Sequence, residues 1–211
     1  MLVINIIRNI YFTYYSIRNK MKVKGRKNMF KDLNIVIGIT GGIAAYKACG
    51  IVSYLKKMGA NVDVIMTKNA TEFITPLTLE TLSNNKVIVD MFDRPDYIDV
   101  KHINLARKAN LFLVIPATAN IIGKIANGIA DDMLSTTIMA TKAPVILAPA
   151  MNNGMYENKI VQSNIKKLKQ YGYYFIEPSV GHLACGYDAK GKLPKTEEII
   201  EYVETLVKEK N

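Results

Sequence analysis

The stretch NIVIGITGGIAAYKACGIVSYLKKMG, residues 34–59, decides the fold. Residues 34–40 are a nearly continuous apolar run. A strand with one wet face would alternate, so this run fits a strand buried on both faces. Gly41-Gly42 breaks it. Over residues 43–58 apolar side chains return at helical spacing, and Lys56, Lys57 and Gly59 give the cationic last turn and the glycine stop of a helix. A buried strand, a glycine turn and an amphipathic helix open a parallel β-α-β unit.

The pattern repeats outward. Strands are expected at 62–66, 111–115, 145–148 and 173–176, with a short extended piece at 87–90. Helices are expected at 71–82, where Pro76 sets a first turn, and at 102–108, 119–127, 132–140, 159–171 and 197–208. Residues 93–100 read as loop. So do residues 178–194, which hold Gly181, Gly186, Gly191 and Pro194. No internal repeat or second core is visible. The alternation predicts an α/β domain of three layers, a parallel sheet with helices on both faces. Such sheets take ligands beyond the carboxyl ends of their strands. The chemistry should therefore lie at 40–43, 66–69, 116–120, 149–153 and after 176.

The chain has 211 residues, 49% hydrophobic and 22% charged, which is ordinary for a globular protein and excludes a disordered or collagenous one. Cys49 and Cys185 are too few for a disulfide framework. With only His102 and His182 beside them, a four-ligand zinc site has little to draw on, and no metal is expected. The formal charge is +10. Residues 1–30 hold seven basic groups (Arg8, Arg18, Lys20, Lys22, Lys24, Arg26 and Lys27) and no acid, leaving 21 basic against 18 acidic groups in residues 31–211. The basicity belongs to the leader, so a nucleic-acid-binding face on the domain is not expected. The leader's apolar stretch is interrupted by Arg8 and Asn9 and has no A-x-A-like cleavage site. It is also too short to span a bilayer, which takes ~20 apolar residues, so no stable membrane association is expected. Its Ile, Asn, Lys, Tyr and Phe are residues of A/T-rich codons. Residues 1–30 are therefore expected to be a disordered extension or translated upstream DNA, with Met21 or Met29 as the start. Residues 31–211 would form the one functional domain, folding from about Leu33. Membrane-surface contact by the basic segment and targeting are the alternatives.

Five segments could carry chemistry. Thr40-Gly41-Gly42-Ile43 joins the first strand to the first helix. Its glycines let backbone N–H groups approach an anion at a helix N-terminus, or they only make a tight turn. Neither G-x-G-x-x-G nor G-x-x-x-x-G-K-[ST] is present. Met66-Thr67-Lys68-Asn69 offers a hydroxyl and a cation at the next strand end, where Thr67 is equally a helix N-cap. Pro116-Ala-Thr-Ala-Asn120 has small residues that admit a flat ring, with Thr118 and Asn120 to bond its edge; an ordinary capped turn reads the same. Pro149-Ala-Met-Asn152 places a soft side chain and an amide after an apolar strand. Asn152 can donate to a carboxylate or simply make a turn. Cys185 sits in a glycine-rich loop, where little core justifies it. His102 opens a short helix and reads as a surface residue, while His182 and Cys49 look bland.

Together, GITGGIAAYKA (38–48), VIMTKNATEFI (64–74), His102, IPATANIIGKIANGIADDML (115–134), APAMNNGMY (148–156) and LACGYDAKGKLP (183–194) resemble the flavin-dependent cysteine decarboxylases, in that family's order. The resemblance covers about residues 33–206. It implies a Rossmann-like, flavodoxin-like domain, FMN as cofactor and a cytoplasmic enzyme. The activity it implies is conversion of phosphopantothenoylcysteine to phosphopantetheine in coenzyme A biosynthesis. Gly41, Gly42 and Ile43 would hold the FMN phosphate, with Thr67, Lys68 and Asn69 alongside. Thr118, Ala119, Asn120 and Ile121 would line the flavin, and Ala150 would back it. Asn152 would bind the substrate carboxylate, with Met151, Ala184 and Lys192 also at the substrate. His102 would accept a proton and Cys185, on a flap, would return one. Lys192 stands where many members have Arg, a point charge in place of a planar fork. The implied assembly is a homotrimer, or trimers built into a dodecamer, with flavin at a subunit contact. A phosphopantothenate–cysteine ligase, often fused, is expected here as a separate protein.

The chemistry agrees with these parts. A cysteine carboxylate has nowhere to place the electrons left by CO2 loss. Two-electron oxidation at Cβ, with deprotonation of the thiol, gives a thioaldehyde that serves as the sink. Decarboxylation leaves an enethiolate, and return of the electrons with a proton gives the product, with no net redox change. Three other activities compete. A peptidyl-cysteine decarboxylase of lantibiotic maturation would not need LACG, since that enzyme stops at the enethiol. A non-catalytic flavin-binding regulatory subunit would carry an acidic tail or lack His102, Asn152 or Cys185. A flavin prenyltransferase would lack PAMN and LACG.

Overall fold

The computed structural model describes residues 28–92, 100–182, 186 and 188–210. Five parallel strands form one sheet in the order β2-β1-β3-β4-β5. They are β1 (Asn34–Ile39), β2 (Asn61–Met66), β3 (Leu111–Ala117), β4 (Val145–Pro149) and β5 (Tyr174–Phe175). Successive side chains of a strand face opposite sides. Ile35, Ile37 and Ile39 of β1, with Leu113 and Ile115 of β3, enter one core. Val36, Phe112 and Val114 enter the other. Neither face is wet, which is why the run at 34–40 does not alternate.

The first core is covered by α1 (Ala48–Lys57), α2 (Pro76–Ser83) and α8 (Thr196–Lys210). The second is covered by α3 (Lys101–Lys108), α4 (Ala119–Ala126), α5 (Met133–Ala140) and α7 (Lys159–Gln170). Gly38 lets α5 sit close to the sheet, because a Cβ there would collide with the Leu134 side chain. The expected three-layer fold is observed. Packing starts earlier than the expected Leu33. Phe30 is fully buried in the first core, and its N–H donates to the Met58 carbonyl at 3.2 Å.

The local expectations need four corrections. Residues 43–58 are not one helix: a 3₁₀ turn, Ile43–Lys47, precedes α1. The helix expected at 71–82 divides into a 3₁₀ turn, Lys68–Glu72, and α2. Pro76 is the cause, because the residue before a proline avoids the helical region, and Thr75 is extended at φ −76°, ψ 145°. The strand expected to stop at Ile115 runs to Ala117, with a register shift around Pro116, which has no N–H for the ladder. The loop at 178–194 contains an antiparallel hairpin, β6 (Ser179–His182) and β7 (Asp188–Lys192). A short helix, α6 (Asn153–Glu157), is added after β4. The expected loop at 93–100 falls outside the described residues except for Val100, as do residues 1–27 of the leader.

Candidate functional site

The sheet order places the site. The chain winds from β1 out to β2, then crosses to β3 on the other side of β1. The connections leaving β1 and β3 therefore part at the carboxyl end of the sheet and leave a crevice. Thr40 holds its floor. Its Oγ1 donates to the Pro116 carbonyl at 2.6 Å and accepts from the Thr118 N–H at 3.2 Å.

The crevice is a trough of two lobes that share Gly41, Thr118, Ala119 and Met155. One lobe, about 450 Å³, is polar and bordered by Thr67, Lys68, Asn69, Asn120, Ile121 and the Lys124–Asp131–Asp132 group. The other, about 460 Å³, is walled by Gly42, Ile43, Tyr46, Ala150, Met151 and Leu193, with Lys47, Asn152 and Lys192 as its polar groups. Both volumes fall in the range of ligand sites. The apolar rim is open: Ile43 is 62% exposed, Tyr46 59% and Met155 50%.

The polar lobe carries an unanswered group. The Oγ1 of Thr67 is buried without a hydrogen-bond partner. Thr67 occupies the N-cap position of the Lys68–Glu72 turn, but its hydroxyl makes no cap bond. A buried hydroxyl left unpaired costs about 1–3 kcal/mol, so an acceptor in this lobe would relieve a standing penalty. Gly41 stands against Asn69, where a Cβ would come within 2.5 Å of the Asn69 Cβ. Gly42 differs, since a Cβ there would meet only the Thr118 methyl at 3.9 Å. These residues fit a bound phosphate, and the apolar lobe beside them fits a flat ring.

Salt bridges stiffen the lobe's far wall. Lys124 Nζ lies 2.7 Å from Asp131 Oδ1 and 2.8 Å from Asp132 Oδ2. Burial opposes the charge on Lys124, but the two carboxylates outweigh it and hold the ammonium pKa above its ordinary value. Burial likewise opposes the charge on Asp132. Lys124 and the Ser135 N–H and hydroxyl outweigh it and hold that carboxyl below its usual range. Asp132 also caps α5, accepting from the Ser135 N–H at 2.8 Å.

Gly41, Gly42, Ile43, Thr67, Lys68, Asn69, Thr118, Ala119, Asn120, Ile121, Ala150, Met151, Asn152 and Lys192 all border the trough. Two of them have structural duties as well. Thr118 caps α4, its hydroxyl accepting from the Ile121 N–H at 3.4 Å, and Ile121 is 1% exposed in the second core. Asn152 caps α6, with Oδ1 accepting from the Gly154 N–H at 2.8 Å. Of that amide's two ends, Nδ2 is the one that can donate to a carboxylate. His102 is not brought in: it sits in the first turn of α3 and lines neither lobe. Ala184 and Cys185 lie outside the described residues. Lys47, Tyr46, Met155 and Lys124 were missed by sequence reasoning. The spacing could have found two of them, since positions three and four beyond Ile43 share its helix face.

The hairpin is pinned over the apolar lobe. The Met151 N–H donates to the Gly191 carbonyl at 3.0 Å. Gly191 is the extra residue of a bulge, at φ 140°, and a Cβ there would run into the Met151 carbonyl. At the hairpin's outer side Glu177 gathers three partners. Tyr156 donates to it at 2.8 Å, Lys169 lies at 2.7 Å and Lys190 of β7 at 3.6 Å. Burial first, then Glu177, push the Tyr156 hydroxyl up to about 12.

Comparisons with known proteins agree with this geometry. The Flavoprotein family model matches residues 24–208. The coenzyme A biosynthesis bifunctional protein CoaBC of Borreliella burgdorferi is 57% identical over 175 residues, 83% of this chain and 45% of that protein. The chain thus spans less than half of that relative. A protein of Streptococcus mutans named "Probable phosphopantothenoylcysteine decarboxylase" is 43% identical over 172 residues, 81% of this chain and 96% of its own length. Among solved structures, a PPC decarboxylase with a cysteine-to-serine substitution, complexed with pantothenoylaminoethenethiol, superposes with a TM-score of 0.75 at 27% identity. The match covers 84% of this chain and 100% of that one.

Proposed function

Because the chain belongs to the Flavoprotein family, we propose that its trough binds FMN and decarboxylates phosphopantothenoylcysteine to phosphopantetheine in coenzyme A biosynthesis. The carrying observation is the junction of the two lobes: a polar lobe bordered by Gly41 and by a buried hydroxyl without a partner adjoins, across Gly41, Thr118 and Ala119, an apolar lobe holding Asn152. When bound, FMN supplies a reversible two-electron acceptor, which a cysteine carboxylate lacks.

The chain's residues do the rest. Thr67 and Lys68 meet the cofactor phosphate with a hydroxyl donor and a cation, and Gly41, Gly42, Ile43 and Asn69 shape the turn around it. Ala119, Asn120 and Ala150 flank the ring, with Thr118 and Ile121 holding the start of α4 in place. Asn152 orients the substrate carboxylate through Nδ2. Met151 and Ala184 bound the substrate. His102 takes the thiol proton, and Cys185 returns a proton to carbon. The thiol suits that task, since its reference pKa of ~8.5 keeps it mostly protonated at neutral pH. The reading includes a cytoplasmic homotrimer, or trimers in a dodecamer, with flavin at the subunit contact. A phosphopantothenate–cysteine ligase activity would supply the substrate.

The test is direct. Purified protein should carry one FMN per chain, visible by absorbance and by chromatography of the released cofactor. Supplied with phosphopantothenoylcysteine, it should release CO2 and phosphopantetheine. Stoichiometric FAD or a nicotinamide nucleotide, or no CO2 from the flavin-loaded protein, would refute the reading.

A further inference from the structure

The apolar lobe contains a pair of cations. Lys47, half-buried in the Ile43–Lys47 turn, donates from Nζ to the Leu193 carbonyl at 3.3 Å. This ties the turn after β1 to the chain leaving the hairpin. Lys192, the last residue of β7, lies across β6: a Cβ on Gly181 would stand 3.2 Å from its Cδ and 3.4 Å from its Nζ. Both line the same lobe, and none of the residues lining it is Asp or Glu. Among the described residues neither lysine is paired with a carboxylate. Burial, and then Lys192, push the Lys47 ammonium below the ordinary lysine range. Two like charges thus share a largely apolar wall with no carboxylate among the lobe's described lining residues, an arrangement that favours an anionic occupant.

We infer that Lys47 and Lys192 form a cradle for the phosphate of the substrate, at the opposite end of that molecule from the carboxylate held by Asn152. This rests on the decarboxylase reading above and assigns Lys47 a role in it. The charge of the occupant supports a phosphate. A phosphate monoester carries about −1.5 to −2 at neutral pH, which answers two ammonium groups, whereas one carboxylate would leave one of them unmatched. The cofactor's phosphate has its own donors in the other lobe: Thr67 and Lys68 border that lobe and not this one, and Lys47 and Lys192 the reverse. The trough therefore offers two anion sites for a reaction whose cofactor and substrate each carry one phosphate. The same lobe is walled by Ile43, Tyr46, Met151 and Leu193, whose apolar surface suits the pantothenoyl arm that joins the substrate's two charged ends.

The experiment compares phosphopantothenoylcysteine with its dephosphorylated form on flavin-loaded wild type, Lys47→Met, Lys192→Met and Lys192→Arg. Wild type should favour the phosphorylated substrate. Each Met variant should lose about 10- to 100-fold more kcat/KM on the phosphorylated than on the dephosphorylated substrate, as expected for a hydrogen bond to a charged group. The loss should appear in KM, and Lys192→Arg should restore the discrimination. Bound flavin per chain should stay at the wild-type value. Equal losses on both substrates would overturn the cradle, because the lysines would then act on a group that both share. Loss of flavin in Lys47→Met would assign that residue to the cofactor and overturn it as well. If Lys47→Met fails to fold once its tie to Leu193 is cut, the exposed Lys192 pair still decides. Wild type turning over both substrates equally well would overturn the cradle alone, whereas CO2 from neither would overturn the decarboxylase reading and the cradle with it.

Discussion

A Cβ on Gly41 would stand 2.9 Å from the Asn69 carbonyl carbon as well as 2.5 Å from its Cβ, so alanine there must push two strand-end loops apart. Overpacking of this kind costs about 1–3 kcal/mol, and Gly41→Ala should lower Tm even without cofactor. Gly42→Ala should behave otherwise. Its backbone is extended at φ −165°, open to any residue, and the new methyl would point into the empty side of the turn. The expected outcome is an unchanged Tm without flavin and weaker FMN binding, read by titration of flavin fluorescence. Thr67→Val isolates the orphan hydroxyl. Removing an unpaired buried group should leave the flavin-free protein as stable or more so. FMN affinity should drop by about 10- to 100-fold, the worth of one hydrogen bond to a charged group. Unchanged affinity would take Thr67 out of the phosphate site.

At the scale of elements, the salt-bridged wall between α4 and α5 has a pH signature with a defined sign. Asp132 titrates lower in the fold than in the unfolded chain, where a carboxyl of its type has a pKa of about 3.9. Its contribution is therefore complete above that value and fades as pH falls through the folded-state pKa. Lys124 is raised, so its contribution is complete below about pH 10.4 and fades as pH climbs through its folded-state pKa. Asp132→Asn keeps a capping side chain but loses the titration. Thermal melts should show Tm of wild type falling more steeply than that of Asp132→Asn below about pH 4. Other elements show what the sequence could and could not reveal. The buried strands and the glycine turn were legible because two cores impose one composition on β1, β3 and β4. The order of motifs also marked nearly every strand end that reaches the trough. The hairpin was not legible. Asp188–Lys192 alternates charged and small residues on a two-stranded ribbon with little core beneath it, and its glycines mark a bulge and a backbone contact that mimic loop composition. Gly191→Ala should accordingly lift β7 off Met151 and cut kcat/KM, with FMN retained.

At the scale of the whole molecule, one chain assembles the trough but not the proposed proton acceptor. Helices of a parallel sheet run back against the strands, so the first turn of α3, with His102, lies toward the carboxyl end of the sheet. Yet His102 borders neither lobe, and the apolar rim of Ile43, Tyr46 and Met155 stands open. Both facts suit a trough completed by a neighbouring copy, as in the proposed trimer with flavin at a subunit contact. Complementation between two inactive variants separates the cases. His102→Asn should block the first step and leave bound flavin oxidised in the presence of substrate. Asn152→Asp should fail through repulsion between two carboxylates. If every site pairs one chain's Asn152 with its neighbour's His102, random mixed oligomers of the two variants should recover about a quarter of wild-type activity. If both residues act from one chain, every site keeps one defect and no activity returns. The measurement is CO2 release after the two variants are unfolded together and refolded with FMN, against each refolded alone. Recovery would give each trough a histidine from its neighbour. Its absence would assign His102 and Asn152 of one chain to the same site and overturn the shared trough.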